Sequence, residues 1–251
     1  MEEDEVMSFF AREVFHEQFF YVLNIKERRK MKTNRTLQIV IIANLTAIST
    51  LLYVTLKFPW PFATFLDIQF SNLPAIIGGF ALGPVSGVVI VALRTILKLV
   101  IVGTSTAYVG EGADVIISTA TVLVSSIVYL RLRTRKGAVI ASLFGMVTWV
   151  FIAVLANYFF LVDFYINFYF GGDPAPLLGF MSRIPNITTD NFMRLYIIYA
   201  AIPMNIVLSG LVYGITFLVY KRISHLIDDI NEKFFPKELK SPTVNIDENL
   251  S

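Results

Sequence analysis

The chain has 251 residues, of which 55% are hydrophobic and only 16% charged, and its mean hydropathy is +0.65. Charged residues make up about a quarter of an ordinary globular domain, so this deficit selects the integral membrane class. A net charge of +2 argues against nucleic acid as a partner, and the lack of cysteine excludes disulfides, thiolate metal sites and a cysteine nucleophile.

Residues 1–35 read as a cytoplasmic N-terminal extension. It opens with Glu2, Glu3, Asp4 and Glu5, where a cleavable signal would be basic. Residues 9–22 are aromatic enough for a helix lying in the membrane interface. Equally, Met31 followed by Lys-Thr-Asn-Arg reads as a start just before the first span, which would make the preceding residues dispensable.

A helix needs ~20 apolar residues to cross a bilayer core. Residues 37–58, 112–130, 138–162 and 195–220 meet that requirement. Residues 85–102 are slightly short and interrupted by Arg94 and Lys98, and residues 73–82 are too short to span and end at Gly83-Pro84. Counting the latter as a short or tilted second helix gives an all-α integral membrane fold, a compact six-helix bundle over residues 36–224. A cytoplasmic tail, residues 225–251, follows; its mixed charge with Pro236 and Pro242 predicts a short surface helix and then disorder.

Orientation follows from lysine and arginine. Lys26, Arg28, Arg29, Lys30, Lys32 and Arg35 precede the first span, Arg131, Arg133, Arg135 and Lys136 lie between the fourth and fifth, and Lys221-Arg222 ends the sixth. With six helices these regions share one side, which is therefore cytoplasmic, and both termini face it. The opposite loops carry Asp67, Glu111, Asp163, Asp173 and Asp190. His16 and His225 lie outside the predicted spans, which leaves no imidazole for chemistry inside the membrane.

Four constellations carry candidate chemistry. In the first span, Ala43 and Ala47 stand four residues apart and form a flat strip that suits close helix approach, either within the bundle or to a partner. In the third, Arg94 and Lys98 share a face one turn apart, where a charge costs at least ~2.5 kcal/mol unless it pairs, snorkels or lines a polar cavity. Glu111 and Asp114 are candidate ion-pair partners for them, and ligand contact is the alternative. The loop at residues 103–112, GTSTAYVGEG, offers Thr104, Thr106 and Glu111 to a polyhydroxylated ligand. It lacks the lysine and hydroxyl ending of a phosphate-cradling Walker A loop, so any ATP-driven step belongs to separate subunits.

The fourth constellation joins the fifth and sixth spans. The aromatic run that begins at Asn157-Tyr-Phe-Phe reads mostly as an interfacial belt, but an amide in an apolar helix needs hydrogen-bond partners. Asn205, in Pro203-Met-Asn205, is its counterpart. Two amides beside aromatic walls can clamp a heterocycle of alternating donors and acceptors; hydrogen bonding between the two helices is the alternative.

Taken together, FSNLPAIIGGFALGP (70–84), GTSTAYVGE (103–111), ANYF (156–159) and PMN (203–205) resemble the substrate-binding S component of energy-coupling factor (ECF) vitamin transporters, the riboflavin type most of all. The resemblance runs over about residues 36–224. It implies an S-component bundle with the loop at residues 59–71 as a flap over the vitamin site, and riboflavin as transported ligand, with no cofactor. It also implies that Asn157 and Asn205 contact the isoalloxazine, with Thr104, Thr106 and Glu111 in the matching outer loop. Ala43 and Ala47 match the docking strip for a membrane coupling subunit, itself joined to two cytoplasmic ATPases in the bacterial plasma membrane. One departure stands out: a lysine often follows the family's last-span asparagine by three residues, and here that position is Leu208. Arg94 or Lys98 could replace the missing donor. The alternatives are another vitamin or precursor, an anionic one drawn by those cations, or an intramembrane enzyme using Glu111 and Asp114 as an acid–base pair.

Overall fold

A computed structural model describes residues 35–234. The expectations for residues 1–34, including the interfacial helix, and for residues 235–251 lie outside the described residues. Helix α1 (Arg35–Thr55) leads into a β-hairpin of β1 (Lys57–Trp60) and β2 (Ala63–Gln69). Next come α2 (Asn72–Leu82), α3 (Pro84–Val102), α4 (Val109–Leu132) and α5 (Arg135–Ala156). A π-helical turn at Asn157–Leu161 joins α5 to α6 (Val162–Phe170). The short α7 (Ala175–Gly179) and α8 (Phe192–Tyr196) precede a second π-turn, Ile197–Ala201, and the last helix α9 (Ile202–Phe234).

Among the described residues, five helical segments are long and apolar enough to cross a membrane, the fourth of them Arg135–Phe170 and the fifth Phe192–Val219. The shorter Asn72–Leu82 completes the expected six. Their boundaries follow local chemistry. Gly83, with φ 91°, ends α2, and Pro84 opens α3 at a position where no amide hydrogen is needed. Thr134 caps α5 by accepting the Gly137 N–H at 2.9 Å. Inside the spans, hydroxyls return to the carbonyl four residues back, as Thr50, Ser86, Thr95, Ser125 and Thr216 do, which satisfies them where water is scarce.

Three boundaries differ from the sequence expectation. Residues 59–71 are largely an antiparallel hairpin, with Lys57 opposite Gln69 and an irregularity between Pro59 and Trp60. Helix α4 begins at Val109, so Glu111 lies in its first turn and not in the loop. The predicted fifth helix continues through its π-turn to Phe170, and the last helix runs on to Phe234.

Apolar side chains collect in two cores. The larger joins α2, α3, α4, α5 and α9 through Ile76, Phe80, Val91, Val122, Trp149, Ala153, Leu208 and Val212. The smaller, at the hairpin end, gathers Ala63, Val162, Ile166, Met181, Tyr196, Ala200 and Ala201. The two π-turns mark the border: Ala153 and Met204 fall in the first core, Val162 and Ala201 in the second. Trp60 and Leu66 of the hairpin pack against both.

Candidate ligand site

At the hairpin end, α3 and α4 bring all four of their predicted charged residues together. Arg94, fully buried, donates through Nη2 to Asp114 Oδ2 at 2.9 Å and to Ser118 Oγ at 2.8 Å. One turn on, Lys98 Nζ bonds Glu111 Oε1 and donates to the Gly103 carbonyl at 2.9 Å. The Thr104 and Thr106 hydroxyls donate to Glu111 Oε2 at 3.0 and 2.6 Å. The same hydroxyl oxygens accept main-chain N–H groups, Thr104 from Thr106 and Tyr108, Thr106 from Gly110.

The reason is geometric. Residues i and i+4 of α3 face i and i+3 of an adjacent antiparallel helix, so each cation meets one carboxylate. Glu111 also lies in the first turn of α4, where a negative charge is favoured by the helix dipole. The Tyr53 ring of α1 adds a π-face to the group, with Lys57, Arg94 and Lys98 5.3, 5.5 and 5.7 Å from its centroid. This constellation is a brace: it neutralises two buried cations and ties the loop after α3 to α4. Arg94 Nε and Nη1 have no protein partner among the described residues, and they are the donors the brace leaves over.

The two predicted amides lie in the other half of the bundle, at the border between the cores. Asn157 (6% exposed) opens the first π-turn, and Asn205 (7% exposed) follows the second by one turn. Asn157 Nδ2 donates to the Ala153 carbonyl at 2.8 Å, and its Oδ1 accepts the Tyr196 hydroxyl. Asn205 Nδ2 donates to the Ala201 carbonyl at 2.8 Å, and its Oδ1 accepts Trp149 Nε1–H at 3.1 Å. The amides therefore bond across the two spans, but each to an aromatic donor and not to the other amide. π-turns recur at functional sites because the extra residue frees main-chain groups and re-aims side chains.

Trp149 and Tyr196 were not among the residues singled out from sequence. A signal for Trp149 existed: an indole N–H in mid-span must find an acceptor. Trp60, reaching this border from the hairpin, has a buried Nε1–H with no acceptor among the described residues. Phe65 of the hairpin stacks on Tyr196, centroids 5.7 Å apart. The two polar groups are linked at the rim, where the Tyr169 hydroxyl of α6 donates to the Ser105 carbonyl at 2.6 Å.

Leu208 is buried in the larger core, so the position three residues after Asn205 supplies no polar atom. Ala43 and Ala47 are exposed along α1, in one stripe with Val40, Asn44, Ile48 and Leu51. An apolar groove of about 440 Å³ between α5 and α9 is lined by Met146, Val150, Phe151, Ile202 and Ile206, and none of these candidate polar residues lines it. Its walls offer no hydrogen-bonding pattern with which to recognise a polar vitamin.

A family description, "ECF transporter, substrate-specific component", matches residues 37–220. Among curated relatives, riboflavin transporter RibU of Staphylococcus aureus is 26% identical over 206 residues, covering 81% of this chain and 98% of the relative. Riboflavin transporter FmnP of Bacillus subtilis is 25% identical over 194 residues, 76% of this chain and 94% of the relative. Riboflavin transporter RibU of Streptococcus thermophilus is 27% identical over 212 residues, 83% of this chain and 92% of the relative. A solved S component of a bacterial ECF transporter superposes with a TM-score of 0.57 at 22% identity, covering 77% of this chain and 98% of that one. At that identity the likeness carries the fold alone.

Proposed function

The chain belongs to the substrate-specific components of ECF transporters, and from that premise we propose that it binds riboflavin at the hairpin end of the bundle for import. The observation that carries the ligand is the pair of buried carboxamides. Each spends one N–H and one oxygen lone pair inside the protein, so each keeps one donor and one acceptor. The pyrimidine edge of a flavin alternates carbonyl, N–H and carbonyl, and such an edge is read by this kind of pair. The names of the relatives point to the same vitamin.

In this reading Asn157 and Asn205 contact the isoalloxazine, and the hairpin covers the site. Lys98, Glu111, Thr104 and Thr106 support it as the brace, with the spare guanidinium donors of Arg94 available to a polar tail. The exposed Ala43 and Ala47 stripe receives the membrane coupling subunit. Two cytoplasmic ATPases supply the energy, and this chain itself catalyses nothing. The protein sits in the bacterial plasma membrane with both termini in the cytoplasm.

The test is purification in detergent, followed by visible absorbance and riboflavin fluorescence titration. A yellow chromophore or stoichiometric quenching is expected. A folded, colourless protein that leaves riboflavin fluorescence unchanged overturns the ligand assignment, and Leu208 would then direct a screen of other vitamins.

A further inference from the structure

Tyr196 and Trp149 meet the two amides in a reciprocal arrangement. The span Arg135–Phe170 supplies Trp149 and Asn157, the span Phe192–Val219 supplies Tyr196 and Asn205, and each aromatic side chain reaches across to the other span's amide. Chemistry fixes the direction of every bond. The carbonyls of Ala153 and Ala201 can only accept, so Nδ2 of each asparagine faces its own helix. Each Oδ1 then faces the neighbouring span, where the indole can only donate and the phenol must donate. Flipping either carboxamide would set its oxygen against a carbonyl oxygen, and in Asn205 it would also set the N–H₂ against the indole N–H.

Neither aromatic is needed there to fill space. Both are almost wholly buried, and phenylalanine, used 22 times in this chain, would fill much of the same volume without a polar tip. A buried indole N–H or phenol is costly unless paired, so its presence opposite an amide oxygen serves the amide. Tyr196 also carries Phe65 of the hairpin on its ring, which couples the cover of the site to the orientation of Asn157.

We infer that Tyr196 and Trp149 are positioning residues that lock the two carboxamides in one orientation, and so fix the donor–acceptor pattern offered to a heterocyclic ligand. The inference rests on the proposed function and deepens it: the selectivity for a flavin-like edge resides partly in two side chains that act through Asn157 and Asn205.

The experiment is a double-mutant cycle read by riboflavin fluorescence quenching. Tyr196→Phe is expected to weaken riboflavin about tenfold, the size of one well-placed hydrogen bond. In an Asn157→Ala background the same change should cost nothing further. Trp149→Phe should behave likewise toward Asn205→Ala, while the crossed combinations add. Riboflavin methylated at N3 gives a second readout that does not need the alanine backgrounds. The wild type should discriminate against it, and both aromatic variants should lose about tenfold of that discrimination. Additive losses within each pair, or discrimination unchanged in Tyr196→Phe and Trp149→Phe, overturn the inference alone. A folded wild type that does not bind riboflavin overturns the proposed function, and the inference with it.

Discussion

Replacing Asp114 by alanine tests the brace. Arg94 is fully buried, and its carboxylate partner at 2.9 Å has a side chain 14% exposed. Removing one partner of a buried ion pair costs about 3–5 kcal/mol, because the remaining charge is left without compensation. The small opening at Asp114 lets solvent reach the gap, and Ser118 and the Tyr53 ring still face the guanidinium, so the lower end, about 3 kcal/mol, applies. For a chain of this size that corresponds to a fall in Tm of roughly 6–12 °C. Removing both charges, as Arg94→Leu with Asp114→Leu, should bring stability back to within about 1 kcal/mol of the wild type, since apolar replacement of a buried pair is near neutral. Thermal unfolding in detergent, followed by circular dichroism, distinguishes the three proteins. A single variant within about 2 °C of the wild type, or a double variant as unstable as the single one, would refute the reasoning.

Three further outcomes are expected. Gly87→Ala would bring a Cβ to 3.0 Å from both the Ala75 carbonyl oxygen and Gly79 Cα, and overpacking α2 against α3 should cost about 1–3 kcal/mol in the same unfolding assay. Glu111→Ala removes the acceptor of Lys98, Thr104 and Thr106 together, so amide hydrogen exchange over residues 103–108 should accelerate by at least about tenfold, as one or more hydrogen bonds' worth of protection is lost. Tryptophan at both Ala43 and Ala47 projects into surface that the bundle does not use, so riboflavin binding by the purified chain should persist while uptake by cells carrying the full transporter is abolished. Loss of binding by that folded variant would contradict a docking role.

Much of the architecture could be read from run length and punctuation. The apolar spans, the short second helix and the break at Gly83-Pro84 each follow from local composition, and the one-turn spacing of Arg94 and Lys98 already pointed to Glu111 and Asp114. The hairpin was obscured by Pro59 and Pro61, which interrupt strand periodicity; its pairing is made by main-chain groups that leave no compositional trace. Gly110 and Gly112 look like loop in the sequence, whereas the contacts of Glu111 hold that turn in helix and start α4 earlier. The need of Asn157 and Asn205 for partners was visible, but their partners lie 39 and 56 residues away in sequence, beyond any helical repeat. Those contacts exist only once two spans have packed.

The paired π-turns have a consequence for how this chain tolerates change. An α-helix advances about 100° per residue, and a π-turn accommodates one residue more than an α-turn does. Each of the two spans thus behaves as though a single residue had been inserted at the border of the cores, resetting the azimuth of everything toward the hairpin. Deleting one residue from Asn157–Leu161 would leave a continuous helix while swinging Val162 and Ile166 about 100° away from Ala63 and Met181. A matching deletion in Ile197–Ala201 would turn the opposite wall as well, without restoring the first. Length is therefore quantised at these two turns, where one residue decides which side of a helix looks inward.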